Sequence, residues 1–169
     1  MTTSSTTHDH TNEATRDGDL AVRILAEGYG PGAWHGPDLK AALADVDATA
    51  AFRRPATGRH NIAEIALHHA WCVRAATTRM AGDDGAPFPL EGEDWFELSD
   101  RGPLDWARIT GEVEQRQYAL TTLVEELRDG RTQSPLSNTE RFDLLLGVTC
   151  HAIYHAGQVQ LIKALAKVG

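Results

Sequence analysis

The chain has 169 residues, of which 41% are hydrophobic, and this length suits a single domain with a buried core. Its formal net charge of -8 argues against a protein that binds nucleic acid, because such proteins concentrate Lys and Arg on one face. No apolar run approaches the roughly 20 residues that a membrane-spanning helix needs, so we expect no membrane segment. The two cysteines do not form a CxxC motif, which favours a reduced, cytoplasmic setting.

The first 18 residues are polar and contain no apolar stretch of the kind found in a signal peptide. Such a composition is typical of a disordered tail. We therefore divide the chain into a disordered tail at residues 1–18 and one folded domain at residues 19–169.

The first helical region is predicted to be interrupted. Residues 20–27 form an apolar helical stretch, and the glycines and prolines of GYGPGAWHGP then break it. Helix resumes at Asp38. The connector contains Trp34 and His35, and we expect both to face inward, because a rigid connector is an unusual place to expose a tryptophan.

The next helix is predicted from Asn61 to about Met80, because Asn61 can cap it and Glu64, three residues later, completes a capping box. The segment from Gly82 to Gly102 is long and rich in Gly, Pro and acidic residues. Loops of this length often cover a site, so we expect this one to act as a substrate-gating element.

Two further long helices complete the predicted fold. One opens after Pro103, which suits the first turn of a helix, and the other runs from about Thr139 to Ala166. The inward stripe of the first is Trp106, Ile109, Val113, Gln117, Leu120, Val124 and Leu127. The inward stripe of the second is Leu144, Val148, His151, His155, Ile162 and Leu165. Strand signals of period two are absent, so we predict an all-α fold, a four-helix bundle with an interrupted first helix.

His151 and His155, in the sequence HAIYHAGQ, are the most informative residues of the chain. A separation of four places both imidazoles on one helical face, with about 5 to 6 Å between their Cβ atoms. Because burying unpaired imidazoles costs free energy, the pair indicates either two hydrogen-bonded core histidines or a shared metal ion.

A third histidine favours the metal interpretation. His68 and His69 lie midway along the second long helical segment, and periodicity does not choose between them, so we expect one to point inward and the other outward. Three histidines and a water form the open arrangement of a catalytic zinc site, and the same set suits nickel, iron or manganese. The Glu-x-x-His pairs of a di-iron site and the HExxH motif of metalloproteases are both absent.

Other residues near these histidines have alternative interpretations. Tyr154 could donate a hydrogen bond near the metal or pack as an aromatic residue between helices. Gln158 lies one turn further along the inward face and could orient a histidine. Trp34 and His35 could line the mouth of the pocket.

Three more residues are interpreted as structural. Glu64 could be a fourth ligand, but its role in the capping box explains it with fewer assumptions. Cys72 and Cys150 are expected to be core thiols rather than nucleophiles.

Three motifs in order make the chain similar to the DinB-like superfamily over about residues 20–166. They are ALHHAWCV, the acidic loop sequence FPLEGEDW, and HAIYHAGQ on the last helix. In that family, a four-helix bundle binds one divalent metal through a histidine of the second helix and an HxxxH pair of the fourth. The family pattern E-I-x-L-H matches residues 64–68. The resemblance therefore implies His68, rather than His69, as a metal ligand together with His151 and His155.

The resemblance also implies candidate activities. Members of the family include enzymes that transfer low-molecular-weight thiols such as bacillithiol or mycothiol, a mycothiol-dependent isomerase, and many proteins of unassigned role linked to stress responses. We therefore expect a metal-dependent thiol transferase or hydrolase that acts on a small molecule, with one divalent metal, zinc before nickel, iron or manganese. A low-molecular-weight thiol would be the cosubstrate of the transferase.

The alternative is a non-catalytic metal-binding bundle that acts in a stress response or binds a small molecule or a partner. The long amphipathic helices and four tryptophans also make a homodimer a reasonable expectation.

Overall fold

Six helices make up the part of the chain that the computed structural model describes, residues 20–167. The helices are α1 at residues 20–28, α2 at Leu39–Leu43, α3 at Ala48–Phe52, α4 at Ile62–Ala81, α5 at Trp106–Arg128 and α6 at Asn138–Ala166. The predicted all-α class is confirmed, and residues 20–167 contain no strand. The predicted tail of residues 1–18 lies outside the described residues.

Capping boxes fix the starts of the two helices that carry the predicted ligands. The Asn61 side chain accepts the backbone N–H of Glu64 at 2.8 Å, and the Glu64 carboxylate accepts that of Asn61 at 3.3 Å. Ser137 and Glu140 make the same reciprocal pair at the start of α6. The capping box predicted at Asn61 is thus confirmed, and each box satisfies backbone donors that a helix start leaves unpaired.

Apolar side chains fill the space between the helices in two groups. The first group includes Leu39, Leu43, Ile62, Leu67, Ile109, Val113, Ala152 and Val159. The second group includes Leu25, Val73, Met80, Leu120, Val124, Leu145 and Val148. Full burial of one such large aliphatic side chain stabilises the fold by about 1.5 to 3 kcal/mol. On α5, Gln117 lies between residues of the first group and residues of the second, and on α6 His151 does so. Polar residues therefore lie at the boundary between the two apolar groups.

The first helical region differs from the prediction in detail. The predicted interruption is present, but the region consists of three short helices, because α2 ends at Leu43 and α3 begins after a new cap at Asp47. The prediction that Pro103 occupies the first turn of α5 is wrong. Asp105 caps that helix by accepting the Arg108 N–H at 2.7 Å, so the first turn begins at Trp106. Leu165, predicted to face inward, is 57% exposed near the end of α6.

Trp34 does not face inward as predicted, because 93% of its surface is exposed. Its backbone N–H donates to the Glu27 carboxylate at 2.9 Å. The neighbouring His35 is also exposed, and its Nε2 lies 2.8 Å from the carbonyl oxygen of Glu27. These two bonds hold the connector against the end of α1 and leave the indole in solvent.

Hydrogen bonds to helix side chains hold the loop between α4 and α5 near both of its ends. Arg74 donates to the carbonyl oxygens of Asp84 and Ala86, at 2.9 and 2.7 Å. Arg116 donates to the carbonyl oxygen of Pro87. At the other end, the backbone N–H of Leu98 donates to Glu64 at 3.0 Å.

None of the helices in residues 20–167 combines the length and the apolar composition that crossing a membrane requires.

Candidate metal centre

Three histidine side chains from two helices converge on one point. His68 comes from α4, and His151 and His155 come from successive turns of α6. The Nε2 atom of His151 lies 3.0 Å from Nε2 of His68 and 3.0 Å from Nε2 of His155. The ligand atoms of the three residues all lie within 4.8 Å of one another. Nitrogen ligands of one tetrahedral zinc ion are about 3.3 Å apart, so this spacing fits a shared ion.

In His68 and His155, the hydrogen-bond partners of Nδ1 show which ring nitrogen carries the proton. His68 Nδ1 lies 2.8 Å from the carbonyl oxygen of Asp94 and 3.0 Å from its Oδ1. His155 Nδ1 lies 2.7 Å from Oε1 of Gln158. Oxygen acceptors require a donor, so Nδ1 carries the proton in both rings and Nε2 presents a lone pair. His68 and His155 therefore direct Nε2 lone pairs at the same point, which is the form in which histidine binds a divalent metal.

Burial keeps two of the three predicted ligands neutral. Burial, together with the neighbouring His155 and His68, lowers the pKa of His151 to about 4. Burial also lowers the pKa of His155 to about 4, against a raising effect of the hydrogen bond to Gln158. Neutral imidazole is the form that binds a metal, so binding at neutral pH releases no proton from either residue.

Gln158 and Tyr154 lie beside the cluster in a short hydrogen-bonded chain. Gln158 accepts the Nδ1–H of His155, as its position predicts, and its Nε2 donates to the Tyr154 hydroxyl at 2.9 Å. Tyr154 is 63% exposed, so its ring does not pack between helices. As substrate-pocket residues, Tyr154 and Gln158 stay predictions, and so do the exposed Trp34 and His35.

Both histidines of the adjacent pair on α4 are buried, so the prediction that one of them points outward is wrong. His68 is 5% exposed and His69 is 0% exposed. The physical reason is that α4 packs against both α5 and α6, so two positions 100° apart on α4 both meet a neighbouring helix. His69 Nδ1 lies 3.4 Å from Nδ1 of His151, and burial lowers the pKa of His69 to about 3.

The loop before α5 supplies site residues that the sequence analysis missed. Trp95 stacks on His68 with 3.9 Å between ring centroids and on His60 with 3.8 Å. Asp94 accepts from His68 and adopts φ 60°, a left-handed conformation that non-glycine residues rarely take. The sequence signal was the acidic stretch GEDW, but nothing in it specified which helix the loop would contact.

A cavity of about 780 Å³ lies next to this loop. Its lining includes Arg54, Arg59, His60, Trp95 and Glu97. Trp95 belongs both to this cavity and to the histidine cluster, because its ring also stacks on His68.

The two cysteines differ from each other. Cys72 is half-buried, and its Sγ lies 3.8 Å from Nε2 of His68 and 3.9 Å from Oδ1 of Asp94. Burial and the Asp94 carboxylate raise the pKa of the Cys72 thiol to about 12, so it is a neutral thiol at pH 7. Cys72, His68 and Asp94 form a second group of atoms with ligand spacing. Cys150 is exposed, so its predicted core position is wrong.

Glu64 has a structural role, as its capping position predicts. It is 1% exposed, and it accepts hydrogen bonds from the backbone N–H groups of Asn61 and Leu98. It also pairs with Arg54 and His60. Burial raises the pKa of Glu64, but the hydrogen bonds from Leu98, His60 and Arg54 outweigh burial and hold this pKa below its ordinary value.

The fold and the cluster together define an all-α protein with a candidate three-histidine metal centre. The family model described as the DinB superfamily matches residues 33–159. The chain therefore belongs to the DinB superfamily, as its three motifs predict. No match was found among the curated proteins or among the solved structures.

Proposed function

We propose that this protein is a divalent-metal-dependent enzyme that transfers a low-molecular-weight thiol to a small electrophilic molecule. The observation that carries the proposal is the convergence of three Nε2 atoms, from His68, His151 and His155, on one point. Structural zinc sites are closed by four protein ligands, whereas catalytic sites use three and keep one position open. Among residues 20–167, this group contains three candidate ligands. Zinc is the favoured metal, followed by nickel, iron and manganese.

The residues around the cluster support a reactive rather than an inert site. A divalent ion held by the three histidines would lower the pKa of a thiol that reaches the open position. The thiol sulfur then bonds to the electrophilic carbon, the leaving group departs with its electron pair, and the thiol proton passes to solvent. Asp94 holds Nδ1 of His68 and Gln158 holds Nδ1 of His155, which orients both Nε2 atoms toward the cluster.

The state of the nearby cysteine supports a thiol that comes from solution. Cys72 is close to His68, but its pKa is raised to about 12, so its sulfur is not a thiolate at neutral pH. Cys72 is thus not activated in the metal-free protein, and we assign the sulfur nucleophile of the proposed reaction to a small-molecule thiol.

A direct assay tests the proposal. The protein, freed of any affinity tag, is loaded with Zn²⁺ and mixed with a small thiol and a fluorogenic alkylating electrophile. We expect conjugation at least about tenfold faster than with the His151→Ala variant, with loss of the excess rate on chelation and recovery on adding Zn²⁺ back. Cys72→Ala should retain the activity, because the proposed nucleophile is the added thiol.

Other outcomes of the assay distinguish the alternatives. Hydrolysis of an ester without added thiol would favour the hydrolase alternative, in which a water occupies the open position. Tight metal binding with no turnover of either kind would favour a non-catalytic metal-binding protein and contradict the proposed enzyme.

We further propose that the protein forms a homodimer through α6. Large apolar side chains are exposed along one broad face of this helix, namely Phe142, Leu146, Tyr154, Leu161 and Leu165. Exposed apolar stripes of this extent are typical of interfaces, and a single helix face can pair with its own copy about a two-fold axis. Sedimentation at micromolar concentration should give a dimer for the native protein and a monomer for Leu146→Glu/Leu161→Glu. A native monomer would contradict the proposal.

A further inference from the structure

Two polar side chains lie behind the histidine cluster, inside the core. His69 on α4 is 0% exposed, and Gln117 on the neighbouring helix α5 is 6% exposed. Within residues 20–167, His69 Nε2 and Gln117 Oε1 are the buried side-chain polar atoms without a hydrogen-bond partner. Burying such atoms unpaired costs free energy, so the presence of a potential donor and a potential acceptor on facing helices requires an explanation.

The other ring nitrogen of His69 faces a predicted metal ligand. Nδ1 of His69 lies 3.4 Å from Nδ1 of His151, at the long limit of a hydrogen bond, and the two rings stack with an interplanar angle of 17°. Two neutral imidazole nitrogens in this position share one proton, so one donates and the other accepts. When His151 binds a metal through Nε2, its own proton is on Nδ1. His69 Nδ1 must then accept, and the proton of His69 must be on Nε2.

Gln117 provides the acceptor that this arrangement needs. His69 and Gln117 lie on α4 and α5, which pack against each other, and their unpaired Nε2 and Oε1 atoms are a complementary donor and acceptor. Gln117 is buried and lies along α5 between Val113 of the first apolar group and Leu120 of the second.

We propose that His69 and Gln117 are positioning residues that hold His151 ready to bind the metal. In this relay, Nδ1–H of His151 donates to Nδ1 of His69, and Nε2–H of His69 donates to Oε1 of Gln117. The inference rests on the proposed metal-dependent function. It completes a pattern, since His68 and His155 are each held at Nδ1 by an oxygen acceptor, whereas Nδ1 of His151 meets His69.

Substitutions at His69 separate positioning from packing. His69→Leu removes both hydrogen bonds, whereas His69→Gln keeps an acceptor for His151 and a donor for Gln117. We expect His69→Leu to weaken Zn²⁺ binding by about 10- to 100-fold, the usual effect of losing a partner of a metal-binding histidine. His69→Gln should bind Zn²⁺ within about threefold of the native protein, because the amide restores both bonds. Gln117→Leu should weaken binding in the same direction as His69→Leu.

The readouts are the Zn²⁺ dissociation constant, measured by competition with a chelator, and the visible spectrum of the Co²⁺-loaded protein, which reports the ligand geometry. Val113→Ala, one turn before Gln117 on α5, is the matched control. It should lower the melting temperature but leave the dissociation constant and the Co²⁺ spectrum unchanged. The melting temperature of each metal-free variant checks that it is folded.

Three results would overturn the inference, and they are distinguishable. If the native protein binds one equivalent of Zn²⁺ and His69→Leu binds it with the same affinity and the same Co²⁺ spectrum, the relay is wrong but the metal site stands. Equal weakening by His69→Leu and His69→Gln would also reject the relay and leave His69 as a packing residue. If the native protein binds no stoichiometric metal, the proposed function fails and the relay fails with it.

Discussion

Replacing His151 with alanine is expected to weaken binding of Zn²⁺ by about two to three orders of magnitude. Zinc sites with four protein ligands bind with about 10 to 16 kcal/mol, so one ligand accounts for about 2.5 to 4 kcal/mol. The same loss is expected for His68→Ala and His155→Ala, because all three Nε2 atoms meet at one point. Metal analysis of tag-free protein and chelator competition measure the effect.

His35→Ala is the matched control for these substitutions. His35 is an exposed histidine that bonds to the carbonyl oxygen of Glu27, so its loss should leave metal binding unchanged. One equivalent of metal that persists with alanine at all three cluster positions would reject the site.

The metal-free protein is expected to lose stability steeply as the pH falls from about 6.5 toward 4. Burial lowers the pKa of His69 to about 3 and the pKa values of His151 and His155 to about 4, whereas an unfolded histidine titrates at about 6.5. Between these values the unfolded chain binds protons that the folded chain does not bind. The free energy of unfolding therefore rises with pH throughout this window and falls on acidification.

Urea unfolding at several pH values between 7.5 and 4.5 measures this dependence. Fully buried His69 should contribute up to about 1.4 kcal/mol per pH unit, and the half-buried His151 should contribute less, because solvent screens its charge. The His69→Leu variant should show a smaller slope. A free energy of unfolding that stays constant from pH 7 to 5 would show that the buried histidines take up protons without disrupting the fold.

Local sequence patterns were sufficient to predict the helices and part of the candidate site. The cap at Asn61 depends on residues within one turn, and the placement of His151 and His155 on one face requires only that α6 is helical. His68 and His69 could not be separated by periodicity, because α4 packs against neighbouring helices on both faces and buries both residues. The choice of His68 came from the family pattern.

The contacts of residues outside the helices could not be predicted from the sequence, because they depend on residues distant in the chain or on single hydrogen bonds. Asp94 and Trp95 reach His68 because the loop that carries them is held by helix side chains far away in sequence. The orientation of Trp34 depends on two hydrogen bonds of the connector to Glu27. Contacts of this kind have no periodic signal, so a sequence pattern does not reveal them.

The candidate metal site is covered by the loop before α5 and lies between the packed helices α4 and α6. Arg74 and Arg116 hold the loop up to Pro87, Asp94 and Trp95 contact His68, and Glu64 holds the loop again at Leu98. A metal bound by His68 of α4 and by His151 and His155 of α6 would leave only if ligands on two packed helices separated, so we expect its dissociation to be slow.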